Sequence, residues 1–176
     1  MKNLSGKKIL IIIAYQDFQD DEYRIVFERL SLLGAEVDVA SSSIGQARGI
    51  KGAVVNCSLL VADVDPYQYD AVIFIGGPGS IEYQTDESAL ALVRRLSQQK
   101  KIIGAICLAP LILAKANIIR GREATVWADY EDENIGELTS AGAKYTGQPV
   151  VVDKKIVTAN GPEVATEFAD AIAKEL

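Results

Sequence analysis

The fold of this chain is decided by the stretch Ile102-Ile103-Gly104-Ala105-Ile106-Cys107-Leu108-Ala109-Pro110. The run before the cysteine contains no polar alternation, which is typical of a strand buried on both faces. The apolar residues that follow predict a helix over residues 108–116, and the small residues of the stretch let strand and helix approach closely. We therefore predict a strand that runs directly into a helix, with Cys107 at the sharp turn between them.

Short aliphatic runs alternate with helical patterns along the rest of the chain. Further strands are predicted at 9–13, 37–40 and 71–75, with a hairpin from 150–152 and 156–158, and further helices at about 26–33, 87–96 and from 162 onward. This alternation predicts a mainly parallel sheet covered by helices on both faces, in a single α/β domain over residues 1–176. Ligands of such sheets bind beyond the carboxyl ends of the strands, which selects the loops at 15–23 and 76–80 and the turn at Cys107.

The composition excludes several classes of function. Of the 176 residues, 49% are hydrophobic, and 18 basic against 24 acidic side chains leave a net charge of −6. Because polyanion binding needs clustered lysine and arginine, this balance argues against nucleic acid or an anionic membrane as the main partner. The chain has few cysteines and no stretch of about 20 apolar residues, so we expect a cytoplasmic protein without a membrane-spanning helix.

The chain contains no histidine. It therefore cannot build a Ser-His-Asp triad, a Cys-His dyad or a metal site with imidazole ligands, and a homo-oligomer cannot supply the missing side chain. The two cysteines, Cys57 and Cys107, are too few for a zinc site of four thiolates within one chain. An acidic loop over residues 17–22 suits a solvated helix start better than a cation site. We expect neither a metal nor a cofactor.

Cys107 is the candidate reactive residue. A helix that starts beside it would bring partial positive charge and free N–H groups, which favour the thiolate. The alternative is that Cys107 is a small hydrophobic residue of the core, as many free cysteines are. The position of Cys107 predicts that its thiol is more acidic and more reactive than that of Cys57.

Three motifs resemble those of the PfpI family, which belongs to the class I glutamine-amidotransferase-like superfamily. They are Ile75-Gly76-Gly77, Ala105-Ile106-Cys107 with Pro110, and Ala159-Asn160-Gly161-Pro162. The family includes intracellular peptidases, protein deglycases, glyoxalases and stress chaperones. The resemblance implies a flavodoxin-like three-layer sandwich with Cys107 at a nucleophile elbow, and a homodimer or larger homo-oligomer. It also implies that Gly76 and Gly77 line the site, and that the N–H groups of Gly77 and Leu108 form an oxyanion hole.

Three departures from the family pattern affect the predicted site. Leu108 stands where peptidase-like members have histidine, and Trp127 stands where deglycase-like members have a second one. The family's glutamate, which hydrogen-bonds the cysteine, falls on Gln19 when counted back from Gly34, and on Phe18 when counted forward from the first strand. An aspartate of this loop (Asp17, Asp20 or Asp21) could therefore reach the sulfur. We predict Asp20 for this role, with Gln19 and Trp127 as binding residues.

Two classes of function remain. One is a cysteine-dependent hydrolase, deglycase or glyoxalase that acts on small carbonyl or acyl substrates. The other is a non-catalytic stress-response protein, in which Cys107 senses oxidants or the surface holds unfolding clients. Peptidase activity is disfavoured because histidine is absent. The side chains left for acid–base catalysis are Tyr15, Asp20, Asp21 and Glu22.

Overall fold

Residues 2–176, which the computed structural model describes, form five α-helices and twelve β-strands. The helices are α1 (Asp20–Leu32), α2 (Glu87–Gln98), α3 (Pro110–Lys115), α4 (Glu133–Ser140) and α5 (Ala165–Glu175). The strands are β1 (Lys8–Ile12), β2 (Gln16–Phe18), β3 (Glu36–Ser41), β4 (Gly45–Gly49), β5 (Val54–Cys57), β6 (Leu59–Leu60), β7 (Ala71–Phe74), β8 (Ile102–Ile106), β9 (Glu123–Ala124), β10 (Lys144–Tyr145), β11 (Val150–Asp153) and β12 (Ile156–Ala159).

Seven strands form the central sheet, in the order β11-β12-β8-β7-β1-β3-β6. Neighbouring strands run parallel except β11 and β12, which form the predicted antiparallel hairpin. From β1 the chain moves to β3 on one side, and afterwards through β7, β8 and β12 on the other, which is the flavodoxin-like strand order. The prediction of an α/β fold with a mainly parallel sheet is confirmed.

Helices cover both faces of this sheet. Because crossovers between parallel strands are right-handed, α1 and α2 lie on opposite faces: they connect strands in opposite directions along the sheet. Helix α5 packs against α1, and α3 packs against α2 and α4. Gly104 of β8 lies so close to α5 that a Cβ there would approach Phe168 and Ile172 to 3.0 Å or less. No helix among the described residues is long and apolar enough to span a bilayer.

A second sheet of three strands, β2-β4-β5, supports the loop after β1. Its hairpin β4–β5 was not predicted from the sequence. The reason is that Ala47 is the one fully buried residue of β4 and that β5 buries only Cys57, so neither strand has the aliphatic run that marks the central strands. This small sheet fixes the position of several residues of the predicted site.

Candidate active site

Cys107 lies at the turn between β8 and α3 in a left-handed backbone conformation, with φ at 63°. A residue with a Cβ adopts this conformation at a cost of about 1–2 kcal/mol, so other contacts must hold it. The Cys107 N–H donates to the carbonyl of Ala159 at 2.9 Å, and its carbonyl accepts from the N–H of Trp127 at 2.9 Å. These bonds tie the turn to two other segments and hold the side chain in place, 8% exposed.

The loop after β7 brings a second backbone segment to the sulfur. The N–H groups of Gly77 and Leu108 face the Cys107 thiol, and both act to lower its pKa. Gly77 has φ at 98° and ψ at 161°, a conformation that is essentially restricted to glycine. A Cβ on Gly77 would stand 2.5 Å from the Gln19 nitrogen and 2.6 Å from the Asp17 carbonyl oxygen. Glycine is therefore required at this position for both conformation and space.

Glu22, in the first turn of α1, is the carboxylic acid beside Cys107. Its side chain is completely buried, and Oε2 accepts a hydrogen bond from the Gly76 N–H at 2.9 Å. The other oxygen, Oε1, is buried without a hydrogen-bond partner among the described residues, and the carboxyl group interacts with the Cys107 thiol. A Cβ on Gly76 would stand 2.5 Å from the Cys107 Cβ and 2.9 Å from Glu22 Oε2. Glycine at position 76 is what lets the acid and the thiol meet.

Burial controls the ionisation of this pair. It raises the pKa of Glu22 from 4.5 to about 7, against the opposing effect of the Gly76 hydrogen bond. Burial and the negative charge of Glu22 together raise the pKa of the Cys107 thiol, and the N–H groups of Gly77 and Leu108 offset only part of this. Removal of both protons would leave two negative charges in one buried site, so the pair retains a proton near neutral pH.

The prediction that the helix lowers the pKa of the Cys107 thiol is therefore wrong, because burial raises it; that Cys107 is more reactive than Cys57 stays a prediction. Helix α3 begins at Pro110, three residues beyond the cysteine, and burial outweighs the donors that face the sulfur. Burial also raises the pKa of Cys57, so neither cysteine has a lowered pKa.

Asp20, predicted as the partner of Cys107, has a different role, and that prediction is also wrong. Its carboxylate accepts hydrogen bonds from the N–H groups of Lys51 at 2.9 Å and Ala53 at 2.7 Å. A Cβ on Gly49 would overlap this carboxylate. Asp20 thus holds the turn between β4 and β5. The physical reason is that the unpredicted hairpin offers Asp20 two free N–H groups.

The other two predicted aspartates are also directed elsewhere. Asp21 pairs with Lys51 and Arg24, and the hydrogen bond from Lys51 lowers the pKa of its carboxyl group. Asp17 is exposed and adopts a left-handed conformation, with φ at 61°. Among residues 2–176, no three acidic or cysteine side chains are arranged to hold a metal ion.

Gln19 and Trp127 lie near the site but contact it through their backbones. The Gln19 side chain caps α1 by accepting from the N–H groups of Asp21 and Glu22, so its carbonyl oxygen is not free to bind a ligand. Its own N–H donates to the Gly76 carbonyl at 3.0 Å and so supports the glycine loop. The Trp127 ring is 44% exposed and lies near Gly161, beside the Cys107 turn.

Counting residues through the loop before α1 does not identify Glu22 as the acid beside Cys107. A signal was present in the helix itself: Glu22, Val26 and Leu30 recur every four residues, and all three are buried. An acidic residue on the apolar face of a helix must enter the core, where a carboxyl group needs a partner. That pattern, rather than distance from Gly34, identifies the functional acid.

Residues 7–175 match the DJ-1/PfpI family. An uncharacterised protein of Methanocaldococcus jannaschii is 36% identical over 179 residues, covering 99% of this chain and 85% of that protein. A protein of Thermococcus kodakarensis named as a deglycase is 32% identical over 155 residues, covering 88% of this chain and 90% of the relative.

The similarity extends to solved structures. The crystal structure of a ThiJ/PfpI domain protein from Brachyspira murdochii superposes with a TM-score of 0.90 at 32% sequence identity. The match covers 99% of this chain and 97% of that one. Drosophila melanogaster DJ-1beta gives a TM-score of 0.87 at 28% identity, covering 100% of this chain and 91% of that one.

Proposed function

The chain belongs to the DJ-1/PfpI family, and from that premise we propose that it is a cysteine-dependent enzyme of the deglycase type. Its proposed substrates are small 2-oxoaldehydes and the adducts that they form with thiols and amines. The observation that carries this proposal is the buried pair of Glu22 and Cys107, beneath the N–H groups of Gly77 and Leu108. The name of the Thermococcus kodakarensis relative supports the substrate class.

In the first step, the Cys107 sulfur forms a bond to the aldehyde carbon while the π electron pair of the carbonyl moves to oxygen. The thiol proton passes to Glu22, whose pKa of about 7 lets it both accept and return a proton at neutral pH. Glu22 then delivers this proton to the new alkoxide. The product is a neutral hemithioacetal, and no external acid or base is consumed.

The N–H groups of Gly77 and Leu108 stabilise the negative charge on sulfur while the Cys107 proton is on Glu22. They are preorganised because the Gly77 loop and the Cys107 turn are both held by backbone hydrogen bonds. Cleavage of the hemithioacetal back to thiol and carbonyl uses the same proton in reverse. Transfer of hydrogen from the aldehyde carbon to the neighbouring carbon, followed by hydrolysis of the resulting thioester, yields a 2-hydroxy acid with water as the one co-reactant.

The test is the consumption of methylglyoxal by purified protein, with product formation followed by proton NMR. We expect wild type to convert methylglyoxal to lactate and Cys107→Ser to show only the rate of the enzyme-free control. Cys57→Ser is the matched control, because Cys57 is buried away from Glu22, and it should retain the wild-type rate. A Cys107→Ser variant as active as wild type would contradict the proposal.

The stress-response alternative makes a different prediction for the same samples. A protein in which Cys107 only senses oxidants would consume no methylglyoxal, yet peroxide would oxidise Cys107, as peptide mass spectrometry would show. That combination of results would favour the alternative over the enzyme.

We also predict that peptidase activity is absent. Amide cleavage requires an acid that protonates the leaving amine, and a positioned group of this kind contributes about 10²–10⁴-fold. Leu108 stands at the family's histidine position, and Glu22 is the single buried acid at the sulfur. We expect no cleavage of casein or fluorogenic peptides above the level of Cys107→Ser. Turnover lost only in that variant would show that a carboxylate or tyrosine side chain takes the place of the histidine.

A further inference from the structure

A cavity of about 420 Å³ lies at the end of the central sheet opposite Cys107. Its floor contains Ile103 and Ile156, which are register partners on the parallel strands β8 and β12. From Ile103 to Cys107 the chain advances four residues, or about 13 Å at the rise of a strand. The cavity is therefore separate from the candidate active site, and its volume is in the range of small-molecule sites.

The walls of this cavity are strongly basic. Five of its eight lining residues carry positive charge, and none is acidic: they are Lys100, Lys101, Arg122, Lys154 and Lys155. The whole chain has 18 basic and 24 acidic side chains, so this concentration runs against the overall charge. Positive charges at one site repel one another, and their grouping costs stability unless an anion joins them.

Three of these five cations have no salt-bridge partner within residues 2–176. Arg122 Nη1 lies 3.2 Å from Asp153 Oδ1, and Lys155 Nζ lies 3.6 Å from Glu175 Oε2. Among the described residues, no carboxylate forms a salt bridge with Lys100, Lys101 or Lys154. The cavity thus retains three free ammonium groups, together with an arginine whose guanidinium is oriented by Asp153.

These cations come from three separate segments of the chain. Lys100 and Lys101 follow α2, Arg122 precedes β9, and Lys154 and Lys155 form the turn between β11 and β12. Lys100 and Lys154 occupy left-handed positions, with φ at 56° and 57°. Glycine or asparagine would fit these two turns with less strain, so turn geometry does not explain the two lysines.

We propose that this basic cavity binds a small ligand that carries a chain of two or more phosphate groups, such as a nucleoside triphosphate. Three free ammonium groups match the charge of a polyphosphate chain better than that of one phosphate group. The aliphatic stems of the lysines offer apolar surface to the remainder of the ligand. This inference concerns a second site and does not depend on the chemistry of Cys107.

Isothermal titration calorimetry at low ionic strength tests the proposal, with tripolyphosphate, ATP, AMP and orthophosphate as probes. We expect tripolyphosphate and ATP to bind saturably at one site per chain, and AMP and orthophosphate to bind at least about tenfold more weakly. Added salt should weaken binding, since the lysines are accessible to solvent. Cys107→Ser should bind like wild type, which separates this test from that of the proposed enzyme.

A double variant, Lys100→Gln with Lys154→Gln, removes two of the free cations. We expect it to weaken ATP binding by at least about tenfold. The control is Lys144→Gln with Lys174→Gln, which changes the net charge by the same amount. Both of these lysines are exposed and lie outside the cavity lining. This control should bind within about twofold of wild type. Circular dichroism on both variants verifies that they are folded.

Three results would overturn the proposal. The first is the absence of saturable binding by either tripolyphosphate or ATP. The second is an equal loss of affinity in the cavity variant and its control, which would reduce the effect to net charge. The third is tighter binding of a short DNA duplex than of ATP, with no displacement of the duplex by ATP. That result would identify an extended nucleic-acid surface instead.

Discussion

Glu22→Gln is expected to raise the free energy of unfolding by about 3 kcal/mol at about pH 8, and by almost nothing near pH 4. In the folded protein, burial raises the pKa of Glu22 from 4.5 to about 7. Well below pH 4.5 the carboxyl group is protonated in both the folded and the unfolded state, so its burial does not lower the free energy of unfolding through ionisation. Between pH 4.5 and about 7 the unfolded state loses its proton while the folded state keeps it, so the free energy of unfolding falls over this range and levels off above it.

The glutamine side chain can keep the existing contacts of this position. Its carbonyl oxygen replaces Oε2 as acceptor for the Gly76 N–H, and its amide group takes the place of Oε1, which has no hydrogen-bond partner among the described residues. Urea unfolding followed by circular dichroism, at several pH values, measures the effect. Glu28→Gln is the matched control, because Glu28 is exposed on the same helix and forms a surface salt bridge with Arg24. Its stability should change by less than about 0.5 kcal/mol at any pH.

Glu22→Gln should change the alkylation rate of Cys107 and the consumption of methylglyoxal in opposite directions. Without the charge of Glu22, the pKa of Cys107 falls, because that charge is one of the causes that raise it. Iodoacetamide should therefore alkylate Cys107 faster in Glu22→Gln than in wild type at neutral pH. Methylglyoxal consumption should fall, because an amide cannot carry the proton from sulfur to alkoxide. Slower alkylation, or a destabilised variant at pH 8, would show that Glu22 is not the buried acid of this pair.

Gly77→Ala is expected to lower the free energy of unfolding by about 3 kcal/mol or more, through strain and collision together. The backbone of Gly77 lies at φ 98° and ψ 161°, and a Cβ there would stand 2.5 Å from the Gln19 nitrogen. Because both colliding atoms, on Gln19 and Asp17, belong to backbone, no side chain can move aside to relieve the contact. The loop must shift, and its N–H then leaves the sulfur.

Gly121→Ala is the control for the backbone conformation alone. Gly121 has φ at 74°, and a Cβ there would meet no atom within 4 Å. Its substitution should cost about 1 kcal/mol and leave methylglyoxal consumption unchanged. Gly77→Ala should also reduce that consumption by about 100-fold, the effect of losing one preorganised donor. Equal stability losses in the two variants would show that the close approach at Gly77 is not rigid.

The sequence by itself determined the fold class and the place of the cysteine. Buried strands such as Ile102–Ile106 have an aliphatic run that is readable locally, and the order of strands and helices then allows few topologies. The pairing of Cys107 with the glycine loop followed from the rule that the carboxyl ends of parallel strands lie at one edge of the sheet. The absence of histidine, read directly from the sequence, likewise excluded catalytic sites that need an imidazole.

Only the tertiary structure decided which acid meets the sulfur, how the pair ionises and where the basic cavity lies. On a helix, each residue turns the side chain by about 100°, so a small error of counting through the preceding loop exchanges one acid for another. Asp20 and Glu22 are two residues apart, yet one caps a hairpin turn and the other enters the core. Burial, which raises the pKa of Glu22, depends on atoms from every element packed around it. The lysines of the cavity come from segments more than fifty residues apart, and only the folded sheet brings them to one end.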